Sequence, residues 1–116
     1  MIHRKSEMQT EYKSNLRGGV GDLHFRHLFS AEELGERATM LAEVTLEPGQ
    51  SVGVHPHDRN GELYWVLSGS VTVTEDEQEY VLNSGDAEFC ADGHTHSIRN
   101  HTSEPAVFLA LILPNR

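Results

Sequence analysis

Only nine lysines and arginines stand against eighteen acidic residues in this chain of 116, giving a formal charge of −9. That shortage of cations leaves no basic patch to meet nucleic acid or an anionic membrane, and neither is expected as a partner. Cysteine is nearly missing as well. Cys90 stands alone, can form no internal disulfide, and reads as a buried strand thiol in a reducing compartment. No apolar run approaches the ~20 residues that span a bilayer. The opening MIHRKSEMQTEYKS has no apolar stretch of the kind a secretory signal needs, so a cytoplasmic protein is expected. The length suits one core and no second domain. Gly18-Gly19-Val20-Gly21 lacks the lysine, the glycine spacing and the preceding strand of a phosphate loop, and reads as a flexible joint.

Turn signals are plentiful. Glu47-Pro48-Gly49, Asn60-Gly61, Ser68-Gly69-Ser70, Glu75-Asp76-Glu77 and Asn83-Ser84-Gly85-Asp86 punctuate short β-branched and aromatic segments. Strands are predicted over 22–29, 39–46, 51–57, 62–67, 71–74, 79–82, 87–90, 96–100 and 106–113, spacing that suits an all-β sandwich or barrel. Ser30-Ala31-Glu32-Glu33 has the form of a capping box, so a short helical turn is expected near 31–35.

The segment GQSVGVHPHDRNGELYWVLSG, Gly49 to Gly69, carries the chemistry. Successive side chains of a strand point to opposite faces, so His55 and His57 share a face and Pro56 points away. Asn60-Gly61 suits the positive φ angles of a two-residue hairpin. With those two at the centre of the turn, Arg59 faces Glu62, His57 faces Tyr64 and His55 faces Val66, and His55, His57, Glu62 and Tyr64 lie on one side of the sheet. A second segment, GDAEFCADGHTHSIRN from Gly85 to Asn100, adds His96 on a face shared with Ile98 and Asn100; His94 sits in or beside the loop.

These two segments resemble the two motifs of the cupin superfamily. The first pattern, G-x5-H-x-H-x4-E-x6-G, is met at Gly49, His55, His57, Glu62 and Gly69. The second, G-x5-P-x-G-x2-H-x3-N, is met at Gly85, Gly93, His96 and Asn100, with Ala91 in place of the usual proline. The resemblance implies a double-stranded β-helix, or jelly-roll barrel, over 22–114. Residues 1–21 form an N-terminal extension that matches nothing specific and could serve as an arm or swap a strand. The resemblance also implies His55, His57, Glu62 and His96 as ligands of one divalent transition ion: Mn, Fe, Co, Ni, Cu or Zn, among which ligand type does not choose.

An octahedral ion held by four such ligands keeps two positions open. Small single-domain cupins include dioxygenases, decarboxylases, isomerases, epimerases and lyases, and also binding modules without catalysis. The leading expectation is a metal-dependent enzyme, a dioxygenase or an isomerase/lyase, acting on a small oxygen-rich molecule. The alternative is a ligand-binding or sensory cupin that uses the ion to hold an effector. Tyr64 is the candidate for acid–base work, with Asn100 either orienting a ligand or closing a turn. Val52, Val66, Ile98 and Met40 are expected to wall the pocket. Leu63, Trp65 and Leu67 would then point outward, and the last strand carries apolar residues on both faces, so a homodimer is expected.

Overall fold

The structure, a computed structural model, describes residues 1–115. Its strands are β1 (Gln9–Ser14), β2 (Asp22–His27), β3 (Met40–Leu46), β4 (Ser51–Pro56), β5 (Asn60–Ser68), β6 (Ser70–Glu75), β7 (Gln78–Asn83), β8 (Ala87–Cys90), β9 (Thr95–Arg99) and β10 (Ala106–Pro114). They form two antiparallel sheets. One has six strands in the order β1-β2-β3-β10-β5-β8, the other four in the order β4-β9-β6-β7. This is the expected all-β architecture. The helical turn is a hydrogen-bonded turn over 31–36, and its capping box is formed in both directions: the Ser30 amide donates to Glu33 Oε1 and the Glu33 amide to Ser30 Oγ.

Alternation builds the core. In β3, Ala42, Val44 and Leu46 are buried, and in β10 Ala106, Phe108 and Ala110 are. Cross-strand pairing of Phe108 with Val44 and Val66 brings the inward rows into one layer. Val71 and Val73 of β6 and Ile98 of β9 meet that layer from the four-stranded sheet.

The expected hairpin between 51–57 and 62–67 does not form. β4 pairs with β9, and β5 pairs with β10 and β8, so the two segments lie in different sheets. The residue with positive φ at the crossing is Arg59, at 63°, while Asn60 and Gly61 already begin β5. Gly61 serves a different purpose there. A Cβ on it would come within 2.4 Å of the Phe89 ring, so glycine is needed for close approach of β8's side chain rather than for a turn.

β1 lies in the segment where no strand was predicted. It is an edge strand beside β2, polar along almost its whole length, with Lys13 opposite Leu23. The chain then runs through a 3-10 turn, Leu16–Gly18, that packs on β4.

Candidate metal centre

The two histidines of β4 and its exit point inward because of a bulge. Val52 pairs with Ile98 and His55 with His96, so β4 carries one extra residue between the two pairs. A regular strand would send Val52 and His55 to opposite faces. With the bulge, both are buried and Val54 is turned out to solvent. His57 follows at the end of the strand, its backbone held to the 93–94 loop by His57 N–H to the His94 carbonyl and Gly93 N–H to the His57 carbonyl. Glu62 approaches from β5 in the opposite sheet, and His96 from β9. The four side chains therefore converge between the sheets, rather than on one face of a hairpin.

The ligand atoms are close together. Glu62 Oε1 lies 3.4 Å from His55 Nε2, 3.1 Å from His57 Nε2 and 3.1 Å from His96 Nε2, and the His57 and His96 Nε2 atoms are 3.0 Å apart. All four residues are buried. Each ring's other nitrogen is already engaged: His55 Nδ1 donates to the Gly53 carbonyl at 2.8 Å, His57 Nδ1 to Asn60 Oδ1 at 2.8 Å, and His96 Nδ1 to the Glu88 carboxylate at 2.9 and 3.0 Å. A neutral ring that donates through Nδ1 presents a bare lone pair at Nε2. Three such lone pairs and a carboxylate oxygen then crowd into one buried point, an arrangement that repels itself unless a cation sits among them. Donors about 2.1 Å from an octahedral ion lie roughly 3.0 Å from one another, close to the 3.0–3.1 Å among Glu62, His57 and His96, with His55 somewhat farther from Glu62 at 3.4 Å. The donor set fits a divalent transition ion.

Without an ion, protons meet the same demand. Burial pushes the Glu62 carboxyl up, but hydrogen bonds from His55 and His96 outweigh it and hold the group down at about 2. Burial pulls His96 down, yet its bonds and charges with Glu62 and Glu88 win and raise it to about 9. In that state Glu62 stays ionised and His96 carries the proton between Glu62 and Glu88.

The cluster opens on a cavity of about 140 Å³ lined by Val52, His55, His57, Glu62 and Tyr64, with Phe25, Met40, Val44, Phe108, Ala110 and Ile112 as apolar wall. Val52 and Met40 take the places expected of them. Val66 and Ile98 do not line it; they are fully buried in the core behind it. Tyr64 lines the cavity and stacks on His96, ring centres 4.5 Å apart and planes 9° from parallel. Burial, then the charges of Glu62 and Glu88, raises its phenol well above the usual range. Asn100 lies elsewhere: its side-chain amide donates to the Leu46 and Glu104 carbonyls and its oxygen accepts from Thr102, which closes the loop before β10. His94 pairs with Asp76 on the surface. Glu88 was not singled out in the sequence. Its signal was parity: it is two residues from the buried Cys90 on the same strand, hence on the same inward face.

The family model described as Cupin domain matches residues 42–112. The chain belongs to the cupin family. A related cupin, the oxalate-binding protein of Thermotoga maritima, is 36% identical over 113 residues, covering 97% of this chain and 93% of its own. A crystal structure from Thermotoga maritima, described as a predicted oxalate decarboxylase, superposes with a TM-score of 0.94 at 36% identity, covering 98% and 99% of the two chains. A sugar phosphate isomerase of the cupin superfamily from Silicibacter pomeroyi reaches a TM-score of 0.78 at 21% identity over 99% of this cupin and 76% of its own chain, a likeness of fold alone.

Proposed function

We propose that this cupin carries one divalent transition ion on His55, His57, Glu62 and His96 and uses it to hold a small dicarboxylate of the oxalate class. The observation that carries the proposal is the convergence of three Nδ1-anchored imidazoles and one carboxylate oxygen at a single buried point. Cavity size supports the ligand class. At about 140 Å³ the cavity is far below the roughly 300–1,000 Å³ of a drug-sized pocket and suits a ligand as small as oxalate. The oxalate-binding relative, similar over nearly the whole chain, points the same way.

A bound ion of this kind supplies Lewis acidity and two positions for ligand oxygens. The chain supplies the rest. Gly53, Asn60 and Glu88 fix the three rings, Phe25, Val44, Phe108 and Ile112 keep bulk water off the ligand, and Tyr64 offers an O–H donor beside Glu62. That donor favours a second reading, in which the held molecule is also turned over, since a neutral phenol next to the ligand can deliver a proton. The buried single cysteine fits the cytoplasm.

Elemental analysis of purified protein beside a variant with His55, His57 and His96 all replaced by alanine tests the centre. About one ion per wild-type chain and none in the variant is the expected result. Calorimetric titration of oxalate into the loaded protein, followed by assay for consumption of oxalate, then separates holding from turnover. Equal metal in both proteins would end the proposal.

A further inference from the structure

The cavity over the metal cluster has a lining that the cupin motifs do not contribute. Lys13 of β1 and the residues Leu16 and Arg17 of the 3-10 turn stand on it, together with the apolar wall from the opposite sheet. Apart from the cluster itself, its charged side chains are both cations, in a chain that has twice as many acids as bases.

Neither cation is neutralised by a carboxylate. Among the described residues the arginine–carboxylate ion pairs are Arg26 with Glu43 and Arg99 with Glu79, and lysine forms none. Lys13 instead places its Nζ over the Phe25 ring, 4.5 Å from the centroid, where Phe25 is itself part of the cavity wall. Arg17 is held in a left-handed conformation, φ 57°, that a non-glycine residue adopts at some expense.

The conformation of Arg17 is tied to the metal cluster through one residue. A Cβ on Gly53 would lie 2.0 Å from the Arg17 carbonyl oxygen, so the backbone of the 3-10 turn rests directly on the bulge of β4. The carbonyl of the same Gly53 accepts the His55 Nδ1 proton. Gly19 packs as tightly, since its Cβ would meet the Ser51 carbonyl oxygen at 2.2 Å. The backbone at Arg17 and Gly19 is thus packed directly against β4 beside the site.

We propose that Lys13 and Arg17 form the anion-selecting mouth of the cavity and restrict its ligands to small anions, dicarboxylates above all, against neutral diols and sugars. The inference rests on the reading that the cluster holds a metal-bound small ligand. The physical reason is charge. A divalent ion on three neutral imidazoles and the Glu62 carboxylate leaves one positive charge, and a dicarboxylate turns this into one negative charge in a buried, mostly apolar space. Such a charge needs a partner close by, and of the residues lining the cavity the half-buried Lys13 and the solvent-exposed Arg17 are the cations without a carboxylate partner that can provide it. A neutral ligand would gain nothing from them.

The test is calorimetric titration of metal-loaded protein with oxalate, malonate and phosphate, and with imidazole as an uncharged metal ligand. It compares the wild type with Lys13→Met, Arg17→Asn, the double variant and Lys13→Arg. Methionine keeps the length of the lysine stem and asparagine tolerates the left-handed conformation, so both folds and metal contents should be preserved. Oxalate affinity is expected to fall roughly tenfold for each cation removed, with Lys13→Arg near wild type and imidazole affinity unchanged throughout. Oxalate binding that is as tight in the metal-replete double variant as in the wild type overturns the mouth and leaves the oxalate reading intact. Binding of malonate or phosphate but not oxalate, lost in the double variant, keeps the mouth and removes the oxalate reading. Binding of imidazole with no anion taken up by the wild type rejects the mouth.

Discussion

Glu88 holds His96 from the opposite sheet, both carboxylate oxygens lying within 3.0 Å of the ring's Nδ1. Tyr64, which pairs with Glu88 across β5 and β8, covers the face of the same ring. His96 is therefore fixed in tautomer by one neighbour and in tilt by the other, and its Nε2 has a single direction in which to act. Carboxylate partners of this kind raise the basicity of a ligating imidazole as well as orienting it.

Replacing Glu88 by glutamine is expected to weaken metal binding by roughly tenfold and replacing it by alanine by up to a hundredfold, with the fold unchanged. Glutamine can still accept the Nδ1 proton but carries no charge; alanine does neither. Competition against a chromogenic chelator reads both effects. Equal affinity in all three proteins would mean that the carboxylate contributes nothing to the centre.

Much of the site was legible because it is written locally. His55, His57, Glu62 and His96 sit at short fixed spacings from turn glycines, and inward alternation needs only the period of a strand. The strands followed from the same cues, to within one or two residues at most ends. What could not be read is long-range. Asn60-Gly61 has hairpin chemistry, yet the partner of β4 is β9, some forty residues on, and pairing partners leave no mark in a single strand. The bulge that carries both Val52 and His55 inward is likewise a property of the pair. β1 escaped for another reason. QTEYKS has no buried residue, so an edge strand covering a cavity mouth looks the same as a loose tail, and Lys13 and Arg17 went unnoticed with it.

Gly53→Ala should be among the most damaging single changes outside the ligands. The new methyl group would collide with backbone, the Arg17 carbonyl at 2.0 Å, which cannot swing away as a side chain would. We expect a loss of about 2 kcal/mol in urea unfolding, accompanied by weaker metal binding because the Gly53 carbonyl anchors His55. Gly85→Ala is the control: nothing lies within 4 Å of its would-be Cβ, so only the strain of its positive φ is felt, about 1 kcal/mol, with metal affinity unaffected. Similar metal affinity in the two variants would break the link between the bulge and the ring.

Cys90 should be silent in the folded protein. Burial first, then the charges of Glu88 and nearby acids, raises its thiol to about 12. The thiolate is the reactive form, so at pH 8 roughly one molecule in 10⁴ is poised to react. Reactivity should grow as pH rises toward 12 and be negligible near neutrality. A colorimetric thiol reagent at pH 8 should release no colour from native protein and one equivalent in strong urea. Prompt reaction of the native protein would show that β8 opens readily.

The outer face of the six-stranded sheet argues for a second copy of the chain. Leu41, Leu111, Leu63 and Phe89 face one another in a row across β3, β10, β5 and β8, and Leu109 stands beside Trp65 in the next row. Trp65 is 44% exposed, Phe89 50% and Leu67 37%, a contiguous apolar area of the kind that monomers seldom leave uncovered. The Glu43–Arg26 ion pair lies toward one edge, so the face has an apolar centre and a charged border, the usual plan of an interface between subunits. Light scattering behind size exclusion is expected to give twice the chain mass of 13.0 kDa. Trp65→Glu, placed on this exposed face and away from the metal cluster, should reduce that mass to one chain while leaving metal content and the β-sheet circular dichroism intact. A wild-type mass of one chain at every concentration loaded would reject the dimer, and a Trp65→Glu protein that remains dimeric would place the interface on another surface.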